Sequence, residues 1–547
     1  MLYFQRLGFL GGISLGAAAL ILLPILAVLA SVFGAAGETW AHLARTTLGS
    51  YVVNTALLVL GVGIGVTSIG VLSAWLVTAY RFPGKRLLEW ALMLPLAMPA
   101  YVMAYAYTDW LQFTGAVQTA LRALTGWQAR EYWFPEIRSM GGAALVLSLA
   151  LYPYVYLLSR TAFLELSRSA LEAGRLSGLS PWAAFRRIAL PISRPAIAAG
   201  IALALMETLA DFGTVSYFAL EVFTTGIFKA WMSLGDPVGA AQLSVCLLVF
   251  VAAVLGLERA SRGRAAYASA PGRTAATQRL RGWRAALACA ACTAPVVLGF
   301  LLPAALLLQL AWSDVGAGTG FPITSRLFTL LGNSFILAGL AAVAGVLLAT
   351  AMAYASRLSR APLVAVANRA AALGYAIPGA VIAVGILVPL GRLDNWIAGG
   401  LEAAFGIKAG LLLTGSIIAL IYAYLVRFLA VALQTMEAGL ARVTPRMDDA
   451  ARSLGATPAQ ALARVHAPLL APSLAAAALL LFVDVMKELP ATFALRPFNF
   501  DTLAIEAYNL AKDERLSEAA LPSLAIVAIG LIPLLIVTRR YFQATRS

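Results

Sequence analysis

Long apolar runs dominate the chain. Ten stretches of at least 18 residues contain no Asp, Glu, Lys or Arg: 13–34, 48–80, 90–108, 139–159, 237–257, 285–313, 327–356, 370–391, 409–426 and 519–538. Two further apolar stretches, 195–220 and 465–495, carry a few charges inside them. About 20 apolar residues cross a bilayer as a helix. Runs this long cannot leave backbone groups unpaired in lipid, so the pattern predicts about twelve transmembrane helices.

Composition sharpens this reading. Of 547 residues, 61% are hydrophobic and 12% are charged; a soluble domain carries about 25% charged residues. Arg6 before the first run, with Ala35 and Ala36 after it, has the outline of a secretory signal. The run exceeds the ~7–15 residues of a signal core, so it reads as an uncleaved span. Cys289 and Cys292 form a lone CxxC inside an apolar run and read as small apolar residues. The formal net charge is +15. With both termini in the cytoplasm, the inner segments hold 27 Lys and Arg and the outer segments hold 11. That is the positive-inside bias, and it argues against nucleic acid as the partner. The predicted setting is a bacterial inner membrane, multi-pass, with both termini cytoplasmic.

The chain is also written twice. Residues 172–200 and 449–477 align without a gap at an offset of 277. Glu172 falls on Asp449, Gly178 on Gly455, Pro181 on Pro458, Arg187 on Arg464, Pro191 on Pro468 and Pro195 on Pro472. Glu207 and Asp211 fall on Asp484 and Glu488 at the same offset, and Asn54 and Pro99 fall on Asn333 and Pro378 at 279. Six helices per half make parallel repeats, because an even number returns the chain to its starting side. The predicted organisation is a first repeat over 1–257, a basic cytoplasmic linker over 258–284 and a second repeat over 285–547.

The repeated loop, 168–195 and again 440–472, has its own logic. Residues 168–177 suit a short helix that Gly178 ends in a left-handed conformation. Ser180 is placed to cap a second helix with Pro181 at its first position, and Pro191 is expected to interrupt it near Leu190. Thr457, Pro458 and Pro468 repeat the design. This loop resembles the EAA loop of ABC importer permeases: EAA, three residues, Gly, nine residues, then I-x-L-P. Glu172-Ala173-Gly174, Gly178 and Ile188-Ala189-Leu190-Pro191 carry the first copy. Asp449-Ala450-Ala451, Gly455 and Val465-His466-Ala467-Pro468 carry the second. Gly174, Asp449, Val465 and Ala467 depart from the pattern, while the Gly and Pro skeleton stands. The resemblance implies an all-α integral membrane fold of the type I importer permease class. It implies that each loop docks on a cytoplasmic ABC ATPase subunit, two in all, and that a periplasmic solute-binding protein delivers the substrate. The chain has no GxxxxGK[ST] phosphate loop and no HExxH, and its two histidines, His42 and His466, make a histidine metal site a poor expectation. ATP and Mg are therefore expected on the partner, with no enzyme activity or cofactor on this chain.

Charges within the apolar runs are the remaining signal. On a continuous helix, Glu207 and Asp211 share one face, and Asp484 and Glu488 repeat them with Lys487 alongside. Charged groups at this depth face a cavity or a partner. These five residues suit either a translocation path or helix packing, with Lys487 neutralising a carboxylate. The run Lys487–Thr492 with Arg496–Leu503, and the fusion of two halves, resemble the ferric-iron branch of the family. Thiamine-type permeases share the fusion, and a polyamine or another small solute remains open. An ion-gradient-driven secondary transporter would use the same carboxylates for protons, but the paired loops argue against it. Tyr101, Tyr105 and Tyr107 read as an aromatic interface belt.

Overall fold

The computed structural model describes residues 8–33, 38–128, 131–166, 178–262, 278–317, 325–359, 361–408 and 410–544. Among the described residues, eleven helices are long and apolar enough to cross a membrane: Phe9–Ala30, Leu48–Ala79, Met140–Glu165, Trp182–Ala210, Pro237–Ser261, Trp283–Ser313, Arg326–Leu358, Gly379–Phe405, Ile417–Ala441, Leu462–Met486 and Leu516–Ile536. A twelfth span, third in chain order, is the bent pair Lys85–Ala97 and Ala100–Thr125, whose two parts meet at 92°. The order of spans therefore follows the apolar pattern.

Several boundaries move for physical reasons. The tenth span was expected to end at residue 426, because Arg427 closes the uncharged run. The helix instead continues to Ala441 with Arg427 inside it. Arg427 therefore does not belong with the inner-loop charges. The expected interruption at Pro191 does not occur. A wide turn over Phe185–Ala189, closed by Leu190 N–H to Phe185 O, leads straight into Leu190–Ala210. Pro468 is absorbed in the same way by Leu462–His466, with Ala467 N–H bonded to Leu462 O. A proline ring collides with the carbonyl four residues earlier; inserting one residue per turn relieves the collision while the helix axis runs on.

The repeat extends to backbone angles. Pro99 and Pro378 cap their helices at φ −59°, ψ 139° and φ −58°, ψ 140°. Ser139 and Ser416 each begin the next span with a side-chain cap, to Gly142 N–H and Ile418 N–H.

Packing groups the chain into two compact units that do not follow the linear halves. One comprises Met1–Ala41, Ile227–Val245 and Pro322–Glu506; the other comprises His42–Gly226, Cys246–Phe321 and Ala507–Ser547. Each unit thus takes the second to fifth spans of one repeat together with the opening span of the other. In the first unit, Leu10 and Leu15 of the first span pack on Ala355, Ala361 and Val364. Gly385 lets the first span approach closely: a Cβ there would lie 2.3 Å from Pro24 O. Small residues at such crossings are how membrane helices gain contact without a hydrophobic drive. In the second unit, Tyr101, Tyr105 and Tyr107 are buried. Tyr107 Oη donates to Leu298 O at 2.5 Å, and the Tyr105 and Tyr217 rings lie 4.7 Å apart. They are core residues and not an interface belt, because the third span bends beneath other helices instead of standing alone in lipid.

Candidate functional site

The second repeated loop is described throughout. Pro445–Ser453 forms its first helix. Leu454 N–H bonds Ala450 O and Ala456 N–H bonds Ala451 O, and Gly455 takes φ +79° between them. A left-handed residue satisfies the last carbonyls of a helix, and glycine adopts it without a Cβ clash. Thr457 then starts the next helix. Gln460 N–H donates to Thr457 Oγ1 at 3.3 Å, and Thr457 N–H donates to Gln460 Oε1 at 2.9 Å. This reciprocal pair occupies two donors that the helix start would leave open. Asp449 and Ala450 are exposed and Ala451 is buried, so the acidic end of the motif faces outward. Pro468 is exposed on the continuing helix.

In the first loop, Glu172, Ala173 and Gly174, with the helix expected over 168–177, lie outside the described residues. The rest matches its repeat. Gly178 has φ +78°, Ser180 Oγ accepts from Ala183 N–H at 3.2 Å, and Pro191 is exposed on the helix that follows.

Sequence reasoning passed over the group that holds the second loop. Asp448, one residue before the motif, accepts from Arg357 Nε at 2.8 Å, and its other oxygen lies 2.6 Å from Nε2 of the fully buried His466. Arg357 donates its remaining groups to Leu440 O at 2.7 Å and Val443 O at 2.8 Å. One guanidinium thus ties the end of the eighth span to both ends of the turn into the loop. The adjacent acids Asp448 and Asp449, and a histidine in an otherwise apolar Val-His-Ala-Pro, were the available signals.

The intramembrane carboxylates differ from expectation. The fifth span ends at Ala210, and Asp211 is extended at ψ 131°. Glu207 and Asp211 therefore do not share a face of one helix. Asp211 instead caps the short helix Gly213–Tyr217. Its Oδ1 accepts from Thr214 N–H at 3.0 Å and Val215 N–H at 3.1 Å, and its Oδ2 accepts from Thr214 Oγ1 at 3.1 Å. The eleventh span likewise ends at Met486, with Lys487 as its cap residue. Glu488 caps Pro490–Leu495 through Ala491 N–H and Thr492 N–H, both at 2.9 Å. Both carboxylates thus accept from residues three and four further on. The helix breaks because each acid offers the chain the start of a new helix, and a buried N–H left open would cost about 1–3 kcal/mol.

A second device, also repeated, pins the far end of each broken segment. Asn54 Nδ2 donates to Glu221 O at 2.9 Å, and Thr55 Oγ1 accepts from Phe223 N–H at 3.3 Å. Asn333 Nδ2 donates to Asp501 O at 3.0 Å, and Ser334 Oγ accepts from Leu503 N–H at 2.9 Å. The Asn pair was visible as a repeat match; its role as a clamp was not.

The two segments differ in charge compensation. Glu488, 5% exposed, also accepts from Arg427 Nη1 at 3.2 Å. Gly379 makes room for this pair: a Cβ there would lie 2.6 Å from Arg427 Nη1 and 2.9 Å from Glu488 Oε1. Among the described residues, no basic side chain pairs with Asp211. Asp484 pairs with Lys487 at 3.1 Å, both partly exposed.

Residues 66–264 match the family described as binding-protein-dependent transport system inner membrane component. That region contains the first repeated loop and the first broken span. The Fe(3+)-transport system permease protein FbpB 2 of Haemophilus influenzae is 28% identical over 504 residues, 91% of this chain and 91% of its own length. The probable ABC transporter permease protein y4fN of Sinorhizobium fredii is 26% identical over 520 residues, 89% of this chain and 86% of its own. The sulfate transport system permease protein CysT of Escherichia coli is 29% identical over 184 residues, 32% of this chain and 64% of its own. Paired loops, broken spans and similarity along most of the chain agree: residues 66–264 match the binding-protein-dependent inner membrane permeases, and about nine-tenths of the chain is similar to permeases of ABC-type transport systems.

Proposed function

We propose that this permease passes ferric iron, delivered by a periplasmic binding protein, across the inner membrane. Two cytoplasmic ABC ATPase subunits, one on each repeated loop, bind ATP and Mg and drive the cycle. The observation that carries the reading is the similarity to FbpB 2 along nearly the whole of both chains; the sulfate relative covers only a third of this one. In this reading Glu172, Ala173, Gly174, Gly178 and Pro191, with Asp449, Ala450, Ala451, Gly455 and Pro468, form the two docking surfaces. Glu207, Asp211, Asp484, Lys487 and Glu488 border the path. Both termini and both docking loops lie in the cytoplasm, as the excess of basic residues in the inner segments, which persists without Arg427, supports.

The test is uptake of radiolabelled ferric iron by cells lacking this chain and by the same cells complemented with it. Complementation is expected to restore iron uptake only when an ATPase able to hydrolyse ATP is present, and to leave sulfate uptake unchanged. Restored sulfate uptake without iron uptake would replace the substrate, and iron uptake independent of any ATPase would replace the transport class.

A further inference from the structure

The end of the basic segment between the repeats is tied to the turn between the second and third spans. Gln278–Arg279 pairs as a short parallel strand with Tyr80–Arg81, and Leu280 N–H donates to Arg81 O at 2.9 Å. A glycine at positive φ follows each strand, Gly84 at +75° and Gly282 at +60°, and turns the chain into a helix. The helices that start there, Lys85–Ala91 and Trp283–Val296, pack against each other. Two strand–glycine–helix corners therefore stand side by side where the third and seventh spans begin.

The corner gathers positive charge against local preference. Arg81 and Arg279 are register partners, so two side chains of like charge leave neighbouring strands on the same face. Arg284 lies in the first turn of the seventh span, where a cation works against the helix dipole, and no side chain caps that turn. Arg81, Arg86, Arg279, Arg281 and Arg284 are all exposed. Glu89 is already shared by Lys85 at 3.6 Å and Arg160 at 3.7 Å. Among the described residues, Arg86, Arg279, Arg281 and Arg284 have no acidic partner. A chain that breaks several local rules in one place, all with the same sign of charge, is shaped for an anion.

The surroundings decide which anion. Trp283 is 72% exposed, and Leu87 and Leu287 are 59% and 61% exposed, next to the arginines on the two helices that enter the membrane. Tryptophan at headgroup level and leucines beside it suit a lipid, and a free anion gains nothing from them. The basic side chains left open are arginines, whose planar fork matches pairs of phosphate oxygens. We propose that this corner binds the phosphodiester headgroup of an anionic glycerophospholipid. The guanidiniums meet the phosphate, and Trp283, Leu87 and Leu287 meet the chains. The site belongs to one repeat only: at an offset of 279, Lys85 and Arg86 become Val364 and Ala365. A lipid held here fastens the end of the segment joining the repeats to the first of them. Its leaflet, the inner one, follows from the orientation proposed above; the binding does not depend on it.

The test is native mass spectrometry of the delipidated full chain, titrated separately with phosphatidylglycerol and phosphatidylethanolamine, each with and without excess glycerol phosphate. Phosphatidylglycerol is expected to bind at least fivefold tighter than phosphatidylethanolamine, and glycerol phosphate to leave it in place. Arg279→Gln with Arg281→Gln is expected to reduce that preference at least threefold. Arg442→Gln with Arg446→Gln is the control for basic charge in general: both residues are exposed, on the same side of the membrane, and the preference is expected to stay within twofold. All four side chains are exposed, so their replacement leaves the packing intact. Equal binding of the two lipids, or equal losses from the two double variants, overturns the proposal. Displacement of phosphatidylglycerol by glycerol phosphate also overturns it, because the ligand would then be a soluble phosphate.

Discussion

Glu488 and Arg427 are expected to be energetically coupled, and the structure gives the size of the effect. The carboxylate accepts four bonds: from Arg427 Nη1 at 3.2 Å, from Ala491 N–H and Thr492 N–H at 2.9 Å, and from Thr492 Oγ1 at 2.6 Å. Its side chain is 1% exposed and that of Arg427 is 9% exposed. Glu488→Gln keeps the shape but removes the charge, leaving a buried guanidinium without its counter-charge; breaking a buried pair in this way costs about 3–5 kcal/mol. Arg427→Met leaves the carboxylate its three local donors, so about 2–3 kcal/mol is expected, the value of a hydrogen bond to a charged group with part of the burial penalty. The double variant removes both charges and is expected to be less damaging than the sum by about 2–3 kcal/mol. Unfolding in mixed SDS micelles, followed by tryptophan fluorescence, measures each term. Asp211→Ala is the control: it removes a cap with no ion pair, and only about 0.5–2 kcal/mol is expected. Additivity of Arg427→Met and Glu488→Gln to within about 0.5 kcal/mol would refute the coupling, and the different treatment of the two repeats would lose its basis.

Valine at both Gly178 and Gly455 is expected to lower binding-protein-stimulated ATP hydrolysis in the assembled transporter; a Cβ at either position meets nothing within 4 Å, so the damage is the about 1–3 kcal/mol of backbone strain at positive φ. Unchanged stimulation in the double variant contradicts the docking role. Cysteine at Trp133 is expected to react with an impermeant thiol reagent in cells with a permeabilised outer membrane and an intact inner membrane, and cysteine at Arg281 only after the inner membrane is opened; the reverse pattern inverts the topology. Asp211→Asn with Glu207→Gln is expected to cut iron uptake at least fivefold while the complex assembles normally, and wild-type uptake by an assembled complex would assign both residues to packing.

How much was legible in the sequence follows from the kind of force involved. Apolar length decides the spans, so their number and order could be read directly. Gly178, Gly455, Ser180 and Thr457 act through local backbone chemistry, and their turns and caps appear where their residue types require. The errors arose where a tertiary partner changed a local rule. Arg427 looked like the end of a span because its partner lies 61 residues away at Glu488. Pro191 looked like a helix breaker because a widened turn is not encoded by any single residue. Asp211 and Glu488 looked like helix-face residues; the short helices they cap begin only two residues later, with Gly213 and Pro490. The grouping into two units, which exchanges the opening spans between repeats, left no trace in the hydrophobic pattern, since lipid-facing and helix-facing positions are both apolar.

The repeat shows what a fused chain permits. Two identical halves would carry every substitution twice, and each charge added to one would face its copy. In one polypeptide the geometry can stay duplicated while the charges diverge. The Asn54 and Asn333 clamps, the Pro99 and Pro378 caps and the i+3, i+4 bonds of Asp211 and Glu488 are kept in both halves. Ionic partners are not: Arg427 answers Glu488, while the position 277 residues before it is Ala150. Asp448, which pairs with Arg357, likewise stands where the first half has Leu171. The second half therefore holds its broken span and its loop with charges the protein itself supplies. Among the described residues, Asp211 of the first half has hydrogen-bond donors but no basic partner. Under the proposed function, this difference makes Asp211, and not its repeat partner Glu488, the acid a ferric ion would encounter uncompensated. Adding a basic residue opposite Asp211 would then be expected to impair transport more than removing Arg427 does.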